Sequence, residues 1–353
     1  MKGIDINTLQ TPALLVDLDI MESNLQKMAD FFKTKSCKLR PHFKNHKCIV
    51  LAKKQLAAGA IGISAATLYE TEALVNAGIS SILIANEIAG EANLKTLIEL
   101  AANIEIILAV DSEKTVNDIA RLSSGKKNKL SVVVDLDLGL KRCGVQPGVP
   151  ALQLAKKIIA KQLKFDGLMG YEGHLQRLDS GNENLLIRKE AMRQLISTKD
   201  MLLNDGILVN IVSSGGTGSY AIAGSTEGIT EVQAGNYLLM DTSYAPFALD
   251  FEPSLSLLTT VISVTPGQRF IINTGIKEIS AERGMPGLKI MPGAVLKILH
   301  AEHGIVEIEN QKLTVEVGDN IELSVYYSDG TVNLHRRMYG MRNGIVEEIL
   351  DIS

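Results

Sequence analysis

The sequence predicts an α/β fold, namely a (β/α)8 barrel of the TIM type followed by an all-β domain. Two observations lead to this prediction. Over the first two-thirds of the chain, eight short β-rich runs alternate with longer helix-like segments, as expected for parallel strands joined by helices. After residue 246, apolar residues recur at every second position between Gly, Asn and Asp turns, as in antiparallel strands. An open, doubly wound sheet is the alternative for the first part.

The β-rich runs have the composition of strands that are buried on both faces. VVVDLDL and IEIILAV, for example, are nearly continuous apolar runs. The helix-like segments between the runs begin near Ser, Thr or Glu, and several end at Gly, as capped helices do. We therefore expect a barrel domain over residues 11–245 and a β-domain over residues 246–353, to which about residues 1–10 contribute. The predicted barrel strands span residues 37–44, 60–66, 81–87, 104–110, 130–139, 165–173, 208–216 and 231–241.

The composition excludes several classes of protein. The formal net charge is −4 and neither half of the chain is strongly basic, which argues against a nucleic-acid or membrane-surface partner. The opening residues MKGIDINTLQ lack the apolar core of a signal peptide, and no apolar run is long enough to span a membrane. The three cysteines, Cys37, Cys48 and Cys143, lack the spacing of a metal site, so we interpret them as free thiols. These features predict a cytoplasmic protein.

Two motifs lie where a barrel places its active site, at the ends of strands. SSGGTGS (residues 213–219) follows the seventh predicted strand and offers backbone N–H groups to a phosphate, although a plain glycine-rich turn is the alternative. Lys44 closes the first predicted strand, within KLRPHFKNHK. Most lysines are solvated surface charges, whereas a buried lysine loses its proton more easily and forms a Schiff base. A lysine amine together with a phosphate site is what pyridoxal 5′-phosphate (PLP) requires.

Further motifs stand in a fixed order along almost the whole chain: RPHFKNHK, VDLDLGLKRCGV, GLMGYEGHL, SSGGTGSY, TEVQAGNYLLMD and DGTVNLH. This ordered series resembles the D-threonine aldolase and D-serine dehydratase family of fold-type III PLP enzymes, which are relatives of alanine racemase. The resemblance implies an alanine-racemase-like barrel, a β-domain that completes the active site, and a homodimer. It also implies a small D-amino acid as the substrate.

The resemblance implies a set of site residues. Lys44 would carry the Schiff base, Arg142 would lie near the cofactor ring oxygen, and Tyr171 would lie beside the cofactor. Taken by itself, Arg142 could equally pair with Asp135 or Asp137. The remaining residues expected to bind the cofactor are His42, Ser214, Gly215, Gly216, Thr217, Gln233, Gly235, Asn236 and Tyr237, of which Gln233 and Tyr237 are both candidates for the pyridine-nitrogen partner.

One motif departs from the family pattern. The family's aldolases and dehydratases hold a divalent metal (Mn, Mg or Zn) with a His and, two residues further on, an Asp or Cys. Here Tyr327 stands at the His position and Asp329 at the second position. A tyrosine is a poor ligand at neutral pH because its pKa is near ~10. A single carboxylate holds such a metal weakly. Asp329 is thus the metal-ligand candidate, and a simple hairpin turn is the alternative for YYSDG.

Four functions follow from these observations. The resemblance implies a PLP-dependent lyase acting on a β-hydroxy D-amino acid through a Schiff base on Lys44, with Tyr171 and Tyr327 as further catalytic candidates. The alternative is an amino-acid racemase, or another metal-free PLP enzyme, in which Lys44 and Tyr327 are the two bases. A third interpretation is a non-catalytic PLP-binding protein. The fourth is a barrel aldolase that uses Lys44 without PLP.

Overall fold

The computed structural model describes residues 2–179, 181–247, 250–310 and 312–353. Contacts within the chain divide it into two compact units. The barrel unit contains Met28–Lys44 and Ala52–Gly235, and the β unit contains Met1–Lys27, Asn45–Leu51 and Asn236–Ser353. These units are defined by contacts and not by independent folding. The domain limits expected from the sequence, 11–245 and 246–353, therefore stay predictions.

Strands and helices alternate in the barrel unit, whereas strands dominate the β unit. In chain order, the strands are β1 (Ala13–Asp17), β2 (Lys38–Leu39), β3 (Ile63–Ala65), β4 (Ser81–Glu87), β5 (Glu105–Val110), β6 (Leu130–Leu136), β7 (Lys164–Gly170), β8 (Ile211–Ser214), β9 (Glu231–Val232), β10 (Leu255–Thr265), β11 (Arg269–Ile272), β12 (Gly287–Leu288), β13 (Ala294–Leu299), β14 (Gly304–Ile308), β15 (Asn320–Ser324), β16 (Arg337–Arg342) and β17 (Ile345–Asp351). The α-helices are α1 (Leu18–Lys33), α2 (Ile49–Ala57), α3 (Leu68–Asn76), α4 (Glu91–Leu100), α5 (Glu113–Ser123), α6 (Val149–Ala160), α7 (Asn182–Asn204), α8 (Tyr220–Ala223) and α9 (Ser328–Val332). Short 3₁₀ turns occupy Ile6–Thr8, Phe43–Asn45, Gly173–Leu175 and Thr242–Phe247.

The barrel unit is built on one parallel sheet with the strand order β2-β9-β8-β7-β6-β5-β4-β3. Its two edge strands are joined by backbone hydrogen bonds. Ile61 N donates to Leu39 O and Ser64 N donates to Pro41 O, each at 2.9 Å. Each strand from β3 to β8 pairs with the next one along the chain, β9 pairs with β2, and the edges meet, so the (β/α)8 prediction is confirmed. A doubly wound sheet would instead reverse its strand order.

Burial explains why the barrel strands were recognisable in the sequence. All seven residues of β6 are buried, as the apolar run VVVDL predicted for a strand covered on both faces. On one face of the sheet, side chains from four neighbouring strands pack into a cluster formed by Leu83, Ile107, Ala109, Val133 and Met169. Helix starts also match the capping signals, since the Thr67 and Ser112 side chains accept backbone N–H groups at the starts of α3 and α5.

The β unit contains the other sheet, with the order β13-β14-β11-β10-β1-β16-β17, and β15 pairs with both β10 and β12. Strand β1 lies in the middle of this order, antiparallel to β10 and parallel to β16. Its residues pack into a core cluster formed by Ile6, Leu9, Ala13, Leu15, Leu258, Met341 and Val346. The short helix α9 departs from the all-β character predicted after residue 246.

The structure also bears on the expectations about the cysteines and about membrane-spanning segments. Cys37, Cys48 and Cys143 are free thiols, as the sequence predicted. Among the helices in the described ranges, none combines the length and the apolar character that crossing a membrane requires.

Candidate active site

The parallel barrel strands bring the predicted residues of the barrel unit to one rim, because the carboxyl ends of parallel strands meet at the same end of a barrel. The rim residues follow five strands: Lys44 after β2, Arg142 after β6, Tyr171 after β7, Gly215 after β8 and Gln233 after β9. The sequence placed Lys44 at the end of a strand, and the structure places it in the 3₁₀ turn Phe43–Asn45 just beyond it. The Lys44 side chain is half-buried.

The loop after β9 contacts the end of β2. A side chain on Gly235 would place its Cβ 2.7 Å from the backbone oxygen of His42, so only glycine allows this approach. The imidazole of His42 accepts the backbone N–H of Lys44 through Nδ1 at 3.3 Å. Nearby, Gln233 Nε2 donates to Ser213 Oγ at 2.9 Å. The structure therefore brings together three of the predicted cofactor residues, His42, Lys44 and Gly235.

The glycine loop after β8 (residues 213–219) has no room for side chains at three positions. Gly215 has a φ of +76°, in the left-handed region that favours glycine. A Cβ on Gly216 would lie 2.6 Å from Gln176 Oε1, and one on Gly218 would overlap the Gln176 backbone oxygen. The bare backbone fits the close approach of a phosphate to N–H groups. Predicted ligands Ser214 and Thr217 are both buried within this loop.

A buried carboxylate fixes the shape of the glycine loop. Glu172 is fully buried, and its carboxylate accepts hydrogen bonds from Ser214 Oγ at 3.3 Å and from Gln176 Nε2 at 3.0 Å. It also accepts a hydrogen bond from Ser219 Oγ. Gln176 Oε1 in turn accepts the Gly218 N–H at 2.9 Å. The sequence analysis assigned no role to Glu172, Gln176 or Ser219, since the motif GYEGHL does not reveal that its acid is buried.

Helix α7 secures the segment that carries these residues. The guanidinium of Arg188 donates to the backbone oxygens of Leu175 at 3.1 Å, Leu178 at 2.7 Å and Asp179 at 3.4 Å. Burial lowers the pKa of Arg188, and the nearby charge of Glu172 opposes this shift. Three carbonyl groups of one loop are therefore held by a single cation. The sequence analysis missed Arg188, which looked like one of several surface charges on a long helix.

Arg142 and Tyr171 are neighbours at the rim. The guanidinium carbon of Arg142 lies 5.8 Å from the centroid of the Tyr171 ring, within range of a cation–π contact. The Tyr171 ring also meets the glycine loop, since a Cβ on Gly216 would lie 3.3 Å from Tyr171 Cε2. A small pocket opens here, lined by Asp135, Leu136, Asp137, Leu140, Arg142, Cys143 and Tyr171.

The two aspartates that could have paired with Arg142 both have further partners, although the charge of Arg142 opposes the rise in the pKa of Asp135. Asp137 accepts the backbone N–H groups of Gly139 at 3.0 Å and Lys141 at 2.9 Å, and so shapes the turn. Burial, together with the charge of the neighbouring Glu87 and a hydrogen bond to it, raises the pKa of Asp135 to about 8. The ligand atoms of Glu87, Asp111 and Cys143 lie within 4.8 Å of one another. Asp135 interacts with Glu87 and Asp111 of this cluster, and the crowding of these acids contributes to its raised pKa.

The predicted site residues of the β unit form a second constellation. Asn236 and Asp329 are hydrogen-bonded to each other, with Asn236 Nδ2 and Asp329 Oδ1 3.2 Å apart. Tyr327 lies just before helix α9, and the guanidinium carbon of Arg283 is 4.6 Å from the centroid of its ring. Tyr237 is fully buried, and its ring packs against Phe251 with the centroids 5.6 Å apart. The role of Tyr237 toward a cofactor stays a prediction.

Two sequence families match the chain in succession: alanine racemase, N-terminal domain, over residues 16–243, and a putative serine dehydratase domain over residues 254–341. The chain is also 34% identical over 358 residues to a D-threonine aldolase of Arthrobacter sp, covering 99% of this chain and 94% of that protein. The chain belongs to the D-threonine aldolase and D-serine dehydratase family. The resemblance inferred from its motifs is therefore confirmed.

Other members of this family are similar over the same length. A 3-hydroxy-D-aspartate aldolase of Paracoccus denitrificans is 30% identical over 365 residues, covering 100% of this chain and 94% of that protein. The crystal structure of D-threonine aldolase from Filomicrobium marinum superimposes with a TM-score of 0.96 at 32% identity, covering 100% of this chain and 97% of that one. At the level of the family, the expectation of an enzyme is confirmed, because the named relatives are aldolases.

The residues around Tyr327 do not fit the metal that the family pattern implies. A phenol remains protonated at neutral pH and is a poor metal ligand. The positive guanidinium of Arg283 lies against this phenol ring, where it would repel a divalent cation. The glycine loop, by contrast, fits the phosphate of PLP, because its backbone is bare at Gly215, Gly216 and Gly218 and is held by Glu172 and Gln176.

Proposed function

We propose that this chain is a PLP-dependent lyase acting on a β-hydroxy D-amino acid through a Schiff base on Lys44. The observation that carries the proposal is the glycine loop (residues 213–219), whose shape the buried Glu172 fixes at the same rim as the half-buried Lys44. A D-threonine aldolase and a 3-hydroxy-D-aspartate aldolase among the relatives support the substrate class.

Different residues of this chain would bind the phosphate and the ring of PLP. Gly215, Gly216 and Thr217, with Gly235 and Asn236, would hold the phosphate through their backbone N–H groups. Gln233 and Tyr237 remain the two candidates for the partner of the pyridine nitrogen. When bound, PLP supplies a ring that withdraws electrons from the substrate's Cα.

Three side chains would act on the substrate and the ring. Lys44 would hold the ring until the substrate replaces its amine, and its amino group would then lie beside Cα, where it would donate a proton after Cα–Cβ cleavage or remove one for loss of water. Arg142 would donate to the ring oxygen, and its contact with the ring of Tyr171 limits the directions in which it can point. We propose cleavage of the Cα–Cβ bond ahead of loss of water, because the more similar relatives are aldolases, at 34% and 30% identity, and a dehydratase relative is 28% identical.

Racemisation is the second candidate function. It requires a base on each face of Cα, and Tyr327 would be the partner of Lys44. The observation that favours it is the Arg283 guanidinium over the Tyr327 ring, because a cation there stabilises a phenolate. In this case Tyr327→Phe abolishes exchange of the Cα hydrogen, whereas in a lyase the variant keeps its products.

Proton NMR in D₂O, with the PLP-loaded protein and D-threonine or D-serine, separates these functions. Glycine plus an aldehyde identifies an aldolase, a keto acid identifies a dehydratase, and deuteration of Cα with inversion identifies a racemase. A protein that binds PLP and gives none of these products is a carrier, which contradicts the proposal. Turnover by protein that is free of PLP would indicate the cofactor-independent aldolase.

Lys44→Ala tests the assignment of the lysine. Borohydride reduction followed by peptide mass spectrometry should find PLP on Lys44 of the wild type and at no lysine of the variant. The matched control is Lys53→Ala, which removes an exposed lysine nine residues further on and should leave the adduct unchanged. A PLP adduct that survives in Lys44→Ala contradicts the assignment. Light scattering of the same samples tests the proposed homodimer.

A further inference from the structure

Asp329 lies in a hydrogen-bond network that includes the residue directly after Lys44. Asn45 is fully buried, and its Nδ2 group donates to Asp329 Oδ1 at 2.7 Å and to Ser328 Oγ at 2.8 Å. Asn236 Nδ2 donates to the same two oxygens at 3.2 and 3.3 Å. One carboxylate oxygen therefore accepts amide hydrogens from two residues, and each of these residues adjoins or belongs to the proposed cofactor site.

The network is anchored on its other side by a buried acid. Asp241 is 1% exposed, and its Oδ2 accepts Ser328 N at 2.8 Å and Ser328 Oγ at 2.7 Å. These two bonds hold the first residue of α9. Because Ser328 uses its hydroxyl hydrogen toward Asp241, its oxygen is left to accept from the two asparagines. The chain of donors and acceptors thus runs in one direction, from Asn45 and Asn236 to Asp241.

The orientation of the Asn45 amide indicates that its hydrogen bond to Asp329 is the strongest one that it makes. Its Oδ1 atom is buried and has no hydrogen-bond partner among the residues that the structure describes. Leaving a buried carbonyl oxygen unpaired costs about 1–3 kcal/mol. The amide nevertheless keeps its Nδ2 group toward Asp329 and Ser328. The negative charge of Asp329 accounts for this orientation, because a charged acceptor makes the stronger hydrogen bond.

The segment after Lys44 is also held at Lys47 by hydrogen bonds to two other residues. The backbone oxygen of Lys47 accepts Ser353 N at 2.8 Å, and Lys47 Nζ donates to Asn333 Oδ1 at 2.5 Å. Asn45 and Lys47 are therefore both held by residues of the β unit. The main chain on the carboxyl side of Lys44 is fixed at two points.

We propose that Asp329 is a positioning residue that acts through Asn45 and Asn236, and that it does so without a metal. Its carboxylate fixes the main chain next to Lys44 and the residue after Gly235. The arrangement at Tyr327 disfavours a cation, and the carboxylate of Asp329 accepts hydrogen bonds from both amide donors. The inference rests on the proposed function, since it assumes that Lys44 carries PLP.

A double-mutant cycle with Asp329→Ala and Asn45→Ala tests the proposal. The readouts are the dissociation constant for PLP and the yield of borohydride-trapped PLP on Lys44. We expect each single variant to weaken PLP binding about tenfold, as loss of one charge-assisted hydrogen bond would. The double variant should be no weaker than the worse single variant, because both changes remove the same interaction. Asp351→Ala, which removes an exposed acid of the β unit, is the matched control and should change neither readout.

Asp329→Asn separates positioning from metal binding and keeps the volume of the side chain if the alanine variants fail to fold. An asparagine oxygen still accepts the two amide hydrogens, so PLP binding should fall by a few-fold only. A metal held by a single carboxylate would be lost with the charge. We also expect dialysis against EDTA to leave the PLP affinity and the turnover of the wild type unchanged.

Three results would overturn the proposal. They are multiplicative losses in the double variant, unchanged PLP binding in both single variants, or a wild type that loses activity with EDTA and regains it with Mn²⁺ while Asp329→Asn does not. Failure of the proposed function is distinguishable, because it shows in the wild type as the absence of a trapped adduct on Lys44 before any variant is made.

Discussion

The barrel unit has a polar network at each end, and the two networks are built differently. At the amino ends of β9, β4 and β5, Arg40 Nε lies 3.0 Å from both carboxylate oxygens of Glu231, and its Nη1 group donates to Ser81 Oγ at 3.0 Å. Ser81 Oγ in turn donates to Glu105 Oε2 at 2.8 Å. At the carboxyl ends, the buried carboxylate of Glu172 accepts hydrogen bonds from hydroxyl and amide groups.

The difference lies in whether the polar groups leave backbone N–H groups open to a ligand. At the amino end, opposite charges satisfy each other and fill the space, since a Cβ on Gly62 would overlap Arg40 Nη1. At the carboxyl end, the carboxylate shapes a glycine loop and leaves its backbone open to a ligand. The Arg40–Glu231 pair is buried and has its partners within the protein, whereas the buried Glu172 shapes the loop that we propose binds a phosphate.

The largest effect should come from breaking the amino-end network. Arg40→Met leaves Glu231 buried without its cation, and we expect the free energy of unfolding to fall by about 3–5 kcal/mol. Urea denaturation measures the loss. Arg193→Met, which breaks an exposed ion pair with Glu190 on α7, is the matched control and should have little effect. If the two variants are equally stable, the amino-end network does not have the structural role assigned to it.

A smaller effect on stability, but a larger one on the cofactor, should follow from Glu172→Gln. The glutamine amide offers hydrogens where Ser214, Gln176 and Ser219 already donate, so at least one hydrogen bond is lost. We expect PLP affinity to fall about tenfold to a hundredfold, as loss of a bond worth about 1.5–3 kcal/mol would produce. Titration with PLP measures this change. Arg40→Met provides the contrast, because its folded fraction should bind PLP with normal affinity.

The proton on Asp135 should make stability depend on pH. Its pKa is raised to about 8 by burial and the nearby Glu87, against about 3.9 in an unfolded chain. Between these values the folded protein holds a proton that the unfolded chain has lost, so stability falls as the pH rises, by up to about 1.4 kcal/mol per pH unit. In Asp135→Asn this dependence should be reduced between pH 5 and pH 8. An unchanged slope in urea titrations would rule out Asp135 as its source.

The smallest effect concerns the thiols at the two ends. Burial and the charge of Glu231 raise the pKa of Cys37 to about 12, and burial together with Glu87 raises the pKa of Cys143 to about 11. Because the thiolate is the reactive form, both should react with iodoacetamide at pH 8 at least about tenfold more slowly than an unperturbed thiol. Cys143 should react before Cys37, since it is less buried. Equal rates would show that exposure does not distinguish the two ends.

Much of the barrel could be predicted because its signals are local. Apolar runs such as that of β6, and caps such as Thr67, each depend on a few neighbouring residues. The glycines of the loop at residues 213–219 were also recognisable by type and position. Lys44 was singled out in the same way, as a lysine where a predicted barrel strand ends, and its role as the Schiff-base lysine stays a prediction.

Other features could not be predicted because they depend on residues far apart in the chain. Glu172 looks like a surface acid until Ser214 and Ser219 are known to surround it. Helix α9 interrupts a segment with strand-like alternation because Asp241 holds Ser328 at its start. The residues next to Glu172 and Ser328 in the sequence do not indicate these distant partners. The burial of Glu172 and the formation of α9 could therefore not be predicted.

The position of β1 has a consequence for how the protein is made. This strand pairs with Leu255–Leu258 of β10 on one side and with Tyr339–Met341 of β16 on the other. Ribosomes add about 5–20 residues per second, so the first of these partners emerges more than about ten seconds after β1. During that interval a strand with four buried apolar residues lacks its sheet. Newly made chains therefore expose the apolar, aggregation-prone segment of β1. A chaperone that binds such segments should raise the yield of folded protein.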